Sequence, residues 1–118
     1  MTALRLLVVD DEAPARSRLR NLLDDIAGDL PTSVVAEAAD GVDALEKIGD
    51  GGIDVALVDI RMPRMDGIEL ARHLSLRDPA PAVIFVTAYD QYAVKAFELS
   101  AVDYLLKPVK AARLADAL

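Results

Sequence analysis

At 118 residues, with a net charge of −7 and no cysteine, the chain is sized for one domain burying roughly two thirds of its unfolded surface. The missing cysteines exclude a disulfide framework and a thiolate zinc site, and the acidic balance opposes binding of nucleic acid by this domain alone. Apolar runs such as Leu6–Val9 are far too short to cross a bilayer or act as a signal segment, so the expectation is a cytoplasmic location and no membrane partner.

Leu4–Val9 is predicted as the first strand, because short runs rich in β-branched residues between helical patterns read as buried parallel strands. Pro14–Ile26 follows as a helix with Ala15, Leu19, Leu22, Leu23 and Ile26 on one stripe, and Pro14 suits a first turn, where its missing N–H costs nothing. Ser33–Ala38 is the second strand. Asp40 to Asp43 makes the capped start of a helix ending near Gly49. Gly51-Gly52 is read as a turn rather than a phosphate-binding loop, since the spacing of the glycine fingerprint is missing. Ile53–Val58 is the third strand, Met62–Asp66 a loop, and Gly67–Leu76 a helix that stops before Pro79 and Pro81. Ala82–Val86 is the fourth strand. Asp90 is expected to cap a helix running to about Leu99 with Ala93, Ala96 and Phe97 facing inward. Val102–Leu106 is the fifth strand, and Ala111, Leu114 and Leu118 stripe a last short helix. The chain stops inside that helix without a cap residue, as expected either of a domain cut from a longer protein or of a natural frayed end.

Five strands alternating with five helices predict a doubly wound α/β fold with right-handed crossovers. The flavodoxin-like order 2-1-3-4-5 is expected, with strands one and three side by side where the strand order reverses. Ligands of such sheets sit at the carboxyl ends of the strands. There the sequence places Asp10 and Asp11, Asp59, Thr87 and Lys107.

Each of these residues has an ordinary explanation when taken alone. Asp10-Asp11 would suit an acidic turn before a helix N-terminus, and Thr87 is a good strand residue. Asp59 ends a fully apolar strand, where an ionisable group needs a reason. Three carboxylates in one cleft repel unless neutralised. A hard cation such as Mg2+, which keeps several waters, needs only two carboxylates and a carbonyl from the protein. A carboxylate beside such an ion can attack an activated phosphoryl group, Thr87 can donate to a phosphoryl oxygen, and Lys107 supplies a point charge for phosphate. The Lys107-Pro108 bond is a candidate cis peptide. The order of the set, rather than any one member, carries the signal.

The segments LLVVDDE, VALVDIRMPRMDG, VIFVTAYDQYAVKAF and VDYLLKP resemble a response-regulator receiver domain over essentially residues 1–118. The stretch AYDQYAVKAFELSAVDYLLKPV is most similar to receivers of the LytR/AlgR type, in which a LytTR DNA-binding domain follows. The resemblance implies that Asp59 is the phosphoacceptor, with a sensor histidine kinase as the phosphate donor. It implies direct Mg2+ binding by Asp11, Asp59 and the backbone carbonyl of Arg61, with Asp10 acting through water. Thr87 and Lys107 would hold the phosphoryl oxygens, and Tyr104 would be the aromatic switch that moves with Thr87. Arg61 departs from the asparagine of the best-known chemotaxis receiver, but only its carbonyl is asked for. What is expected is a switch in a two-component system, not a turnover enzyme. On activation it would form a homodimer through the fourth helix, fifth strand and fifth helix, and it would regulate transcription through an output domain beyond this chain.

Rival readings each lack a residue they need. A phosphatase of the haloacid dehalogenase type needs a second aspartate two residues after its nucleophile, where this chain has Arg61. A flavin-binding module needs a hydroxyl- and glycine-rich loop after the first strand, where this chain has Asp-Asp-Glu. A degenerate receiver used as a phosphorylation-independent interaction module is the alternative that the intact acidic pair, acceptor, threonine and lysine oppose. The lone histidine, His73, is placed on the polar side of the third helix as a surface residue, and Arg16 and Arg20 share a solvated face of the first helix.

Overall fold

The computed structural model describes residues 3–49 and 52–118. In chain order it contains β1 (Leu4–Val9), α1 (Ala13–Ile26), β2 (Thr32–Ala38), α2 (Gly41–Ile48) and β3 (Val55–Val58). These are followed by α3 (Gly67–Ser75), β4 (Ala82–Thr87), α4 (Ala93–Glu98), β5 (Asp103–Leu106) and α5 (Ala111–Ala117). The strands form one parallel sheet in the order β2-β1-β3-β4-β5, the doubly wound arrangement expected from the alternation.

Both faces of the sheet are covered, which is why its central strands are apolar without alternation. Leu7 and Val9 of β1, Ala56 and Val58 of β3, and Phe85 of β4 pack under α2, α3 and α4. Their neighbours Leu6, Val8, Leu57, Ile84 and Val86 pack with Leu105 of β5 under Leu19, Leu22 and Leu23 of α1 and Leu114 of α5. Successive side chains of a strand point to opposite faces, so one apolar run serves two cores. The helix caps follow the sequence. Asp40 accepts from the Asp43 N–H at 2.8 Å, and Asp66 accepts from the Glu69 N–H at 2.9 Å.

Three expectations change. The helix α4 has only six residues, the residue before it is Tyr92, and Asp90 meets it through its backbone carbonyl, which accepts from the Ala93 N–H at 3.3 Å, rather than through a side-chain cap. Of the three residues assigned to its inner side only Ala96 is buried; Ala93 is exposed and Phe97 is 83% exposed. β3 begins at Val55 rather than Ile53, where pairing with Leu6 of β1 and Ala82 of β4 starts. Of the Gly51-Gly52 turn, Gly51 lies outside the described residues, while Gly52 takes φ 82°, a left-handed conformation that glycine adopts readily. The Lys107-Pro108 bond is cis as expected, and so is Asp78-Pro79.

Candidate functional site

Register brings the reactive residues to one level. Val9 pairs with Val58, so Asp10 and Asp59 leave adjacent strands together. The Asp59 N–H donates to the Val9 carbonyl at 2.9 Å, and the Asp10 N–H to the Ala38 carbonyl at 3.0 Å. Thr87 pairs with Leu106, and the Lys107 N–H donates to the Thr87 carbonyl at 2.8 Å. Four strand ends therefore surround the point where the strand order reverses.

At that point the Lys107 ammonium lies 2.7 Å from Asp10 Oδ2 and 3.1 Å from Asp59 Oδ2. Asp10 is 1% exposed and Asp59 7%, so this cation neutralises two buried carboxylates. Burial alone would pull the lysine pKa down, but the hydrogen bond that Lys107 donates to Asp10 and the charge of Asp59 outweigh it and hold the group above its ordinary value. The remaining carboxylate oxygens are used locally. Asp10 Oδ1 accepts from the Glu12 N–H at 2.9 Å, and Asp59 Oδ1 from the Ile60 N–H at 2.7 Å.

Asp11 is exposed beside this pair. The carboxylate oxygens of Asp10, Asp11 and Glu12 come within 4.8 Å of one another. Glu12 was missing from the sequence-based candidates, although its signal was the third acidic residue in Asp-Asp-Glu. Asp10, Asp11, Glu12 and Asp59 set four carboxylates against the single ammonium of Lys107. This excess of hard oxygen donors suits a divalent cation such as Mg2+.

Thr87 is fully buried at the end of β4, and its Oγ1 accepts from the Tyr89 N–H at 3.4 Å. Tyr104 is half-buried against Phe85, with ring centroids 6.1 Å apart, and its hydroxyl donates to the Tyr89 carbonyl. The loop after β4 thus bonds to both residues of the expected switch.

The Arg61 side chain turns away from the carboxylates. Its guanidinium stacks 4.2 Å from the centre of the Tyr89 ring, and Nε donates to the Tyr92 hydroxyl at 3.1 Å. A glycine makes the loop geometry possible. The Gly67 N–H donates to the Ile60 carbonyl at 2.7 Å, and a Cβ there would stand 2.0 Å from the Asp59 carbonyl oxygen. On the other side of the loop, Arg64 holds the Asp40 carboxyl below its usual range, aided by the Asp43 N–H.

Of the residues outside the centre, His73 on α3 and Arg20 lie on the surface, whereas Arg16 is half-buried rather than solvated as expected. Arg16 and Arg20 both pair with Glu37 of β2, and Arg16 also donates to the Asp10 carbonyl at 2.6 Å. Among the described residues, no helix is long and apolar enough to cross a membrane.

The sequence profile described as "Response regulator receiver domain" matches residues 6–118. A positive alginate biosynthesis regulatory protein of Pseudomonas aeruginosa is 44% identical over 115 residues, covering 98% of this chain and 46% of the relative. The response regulatory domain of protein mrkE from Klebsiella pneumoniae superposes with a TM-score of 0.88 at 32% identity, covering 97% of this chain and 91% of that one. A CheX-CheY complex with BeF3 and Mg from Borrelia burgdorferi superposes with a TM-score of 0.85 at 25% identity, covering 97% of this chain and 85% of the matched one. The chain spans under half the length of the curated relatives it matches. With its 2-1-3-4-5 sheet and this match across nearly its whole length, the chain belongs to the family of response-regulator receiver domains of two-component systems.

Proposed function

We propose that this receiver takes a phosphoryl group onto Asp59 from a phosphohistidine of a sensor kinase, in the presence of Mg2+, and acts as a switch rather than a turnover enzyme. The observation that carries the reading is the Lys107 ammonium lying within 3.1 Å of both Asp10 and Asp59, a fixed cation at an acidic strand-end cleft. In the transfer, an Asp59 carboxylate oxygen forms the new O–P bond. The N–P bond of the donor breaks, and its electron pair stays on the departing imidazole. Lys107 meets charge on the phosphoryl oxygens, and the buried Thr87 hydroxyl is the donor on the β4 side. Asp11, Asp59 and the Arg61 carbonyl would hold Mg2+ directly, with Asp10 acting through water and Glu12 close by. The ion supplies charge neutralisation that lets a carboxylate approach an anionic phosphoryl group. The Mg and BeF3 of the related CheY complex support this assignment.

The readout follows from the two switch residues. A phosphoryl group on Asp59 draws the Thr87 hydroxyl inward, and the Tyr104 ring follows once its bond to the Tyr89 carbonyl is released. The receiving surface would be the α4–β5–α5 face, where Val94, Phe97, Val102 and Leu106 are exposed and Arg113 forks onto Asp103. An exposed apolar strip with paired charges beside it suits a self-complementary two-fold contact, so activation is read as homodimerisation. A cytoplasmic setting and a LytTR DNA-binding output beyond residues 1–118 complete the reading; a relative named as a regulatory protein, 46% of whose length this chain covers, supports a regulatory output. Intact-mass measurement with acetyl phosphate tests the central claim. A phosphate adduct should appear with Mg2+ and disappear in chelator or in Asp59→Asn; an adduct persisting in either refutes it.

A further inference from the structure

The loop from Ile60 to Asp66 is held on both flanks. Toward β4 it is held by the Arg61 contacts with Tyr89 and Tyr92. Toward α2 it is held by Arg64, which has φ 62°, a left-handed backbone that a residue with a Cβ seldom adopts. The Arg64 guanidinium forks onto Asp40, with Nε 2.9 Å from Oδ2 and Nη2 3.2 Å from Oδ1. Asp40 is 5% exposed and caps α2 through the Asp43 N–H. Next to it, the Gly41 N–H donates to the Met65 carbonyl at 3.0 Å, and the Met65 side chain fills the space a Cβ on Gly41 would need, 2.6 Å away at its closest.

Such backbone strain persists only where the surroundings over-determine it. A bidentate guanidinium–carboxylate pair fixes direction as well as distance. Here it joins a buried helix cap to the loop that follows the phosphoacceptor. Neither side chain forms a hydrogen bond or ion pair with the carboxylate cluster among the described residues.

We infer that the Asp40–Arg64 pair is a positioning device for the divalent-cation site, holding the acceptor loop and its Arg61 carbonyl against the start of α2. The inference rests on the Mg2+ reading above. Released from Asp40, Arg64 is free to leave its left-handed backbone, and the carbonyl three residues upstream loses its fixed direction. The pair therefore sets cation affinity from outside the ligand shell.

Two substitutions separate this role from a merely structural one. Arg64→Gly removes the fork while suiting the φ of that position, so relief of the left-handed strain offsets part of the lost ion pair and the domain stays folded. Asp40→Asn keeps a good helix cap and removes the charge. Mg2+ titration by calorimetry should show roughly tenfold weaker binding in each variant. The double variant should be no weaker than either, because both changes break one interaction. Unchanged affinity in Arg64→Gly overturns the inference and leaves the metal reading standing, as does a double variant whose losses simply add. Absence of Mg2+ binding by the wild-type chain overturns both.

Discussion

Lys107 and Asp10 stand 97 residues apart in sequence, yet the ammonium of one lies 2.7 Å from the carboxylate of the other. The same ammonium reaches Asp59, so three strand ends are joined through one side chain. Removing a cation from two buried carboxylates leaves charge unpaired in a poorly solvated place. Lys107→Met is expected to lose about 2 kcal/mol of stability in the metal-free protein, less than a fully buried pair would. It should recover part of that loss on adding Mg2+. Urea denaturation with and without the ion checks both halves.

Asp10 and Asp11 should behave differently despite adjacency. Asp10 is bonded to Lys107 and to the Glu12 N–H, whereas Asp11 is exposed. Asp11→Ala is expected to leave metal-free stability within about 0.5 kcal/mol of wild type while weakening Mg2+ binding more than Asp10→Ala does. Asp10→Ala should destabilise the fold. Paired calorimetric and thermal measurements on the two variants distinguish them.

Gly67→Ala brings a methyl group to 2.0 Å from the Asp59 carbonyl oxygen and 2.9 Å from the Asp59 carbonyl carbon and Ile60 Cα, all backbone atoms that cannot swing aside as a side chain can. A loss of at least ~2 kcal/mol is expected, together with loss of phosphorylation by acetyl phosphate. Retention of both in thermal and mass measurements would mean that the loop can move off the acceptor.

Asp40 gives the fold an acid dependence of definite sign. Its folded pKa is lowered by Arg64 and the Asp43 N–H, so its contribution is present above the unfolded carboxylate value of about 3.9. That contribution is lost as pH falls through the lower folded value. Between pH 6 and pH 3, Asp40→Asn should therefore lose less stability than wild type, as measured by chemical denaturation at each pH. A parallel fall in both proteins contradicts the assignment.

Phe97 is 83% exposed, so Phe97→Asp should change monomer stability by less than about 0.5 kcal/mol. On the dimer reading, it should abolish the rise in sedimenting mass that beryllofluoride is expected to cause in the wild type. An undiminished dimer in Phe97→Asp places the contact elsewhere.

The strands, most helix limits and the list Asp10, Asp11, Asp59, Thr87 and Lys107 were legible in the sequence, because periodicity and caps are local properties. A strand buried on both faces shows as an unbroken apolar run, and Asp40 and Asp66 mark helix starts by the bonds they alone can make. The short helix α4 was less legible, whereas the stripe Ala111, Leu114 and Leu118 of α5 was read correctly. In Ala93–Glu98 the apolar pattern is the same whether Phe97 faces a core or a partner, and only the placement of α4 on the sheet decides which.

Tertiary structure alone decided how these residues meet. Parallel register sets Asp10 beside Asp59, and the crossover that ends at β5 brings Lys107 between them. No local spacing encodes either approach. The Arg61 side chain points to Tyr89 and Tyr92, not to the acidic centre, because those rings belong to a loop from another strand. Arg64 reads in sequence as a charged loop residue; its left-handed backbone and its fork onto Asp40 exist only once α2 packs against β2 and α3. Composition and periodicity thus determined which groups the cleft contains. Register and packing, which depend on contacts distant in sequence, determined which of them touch.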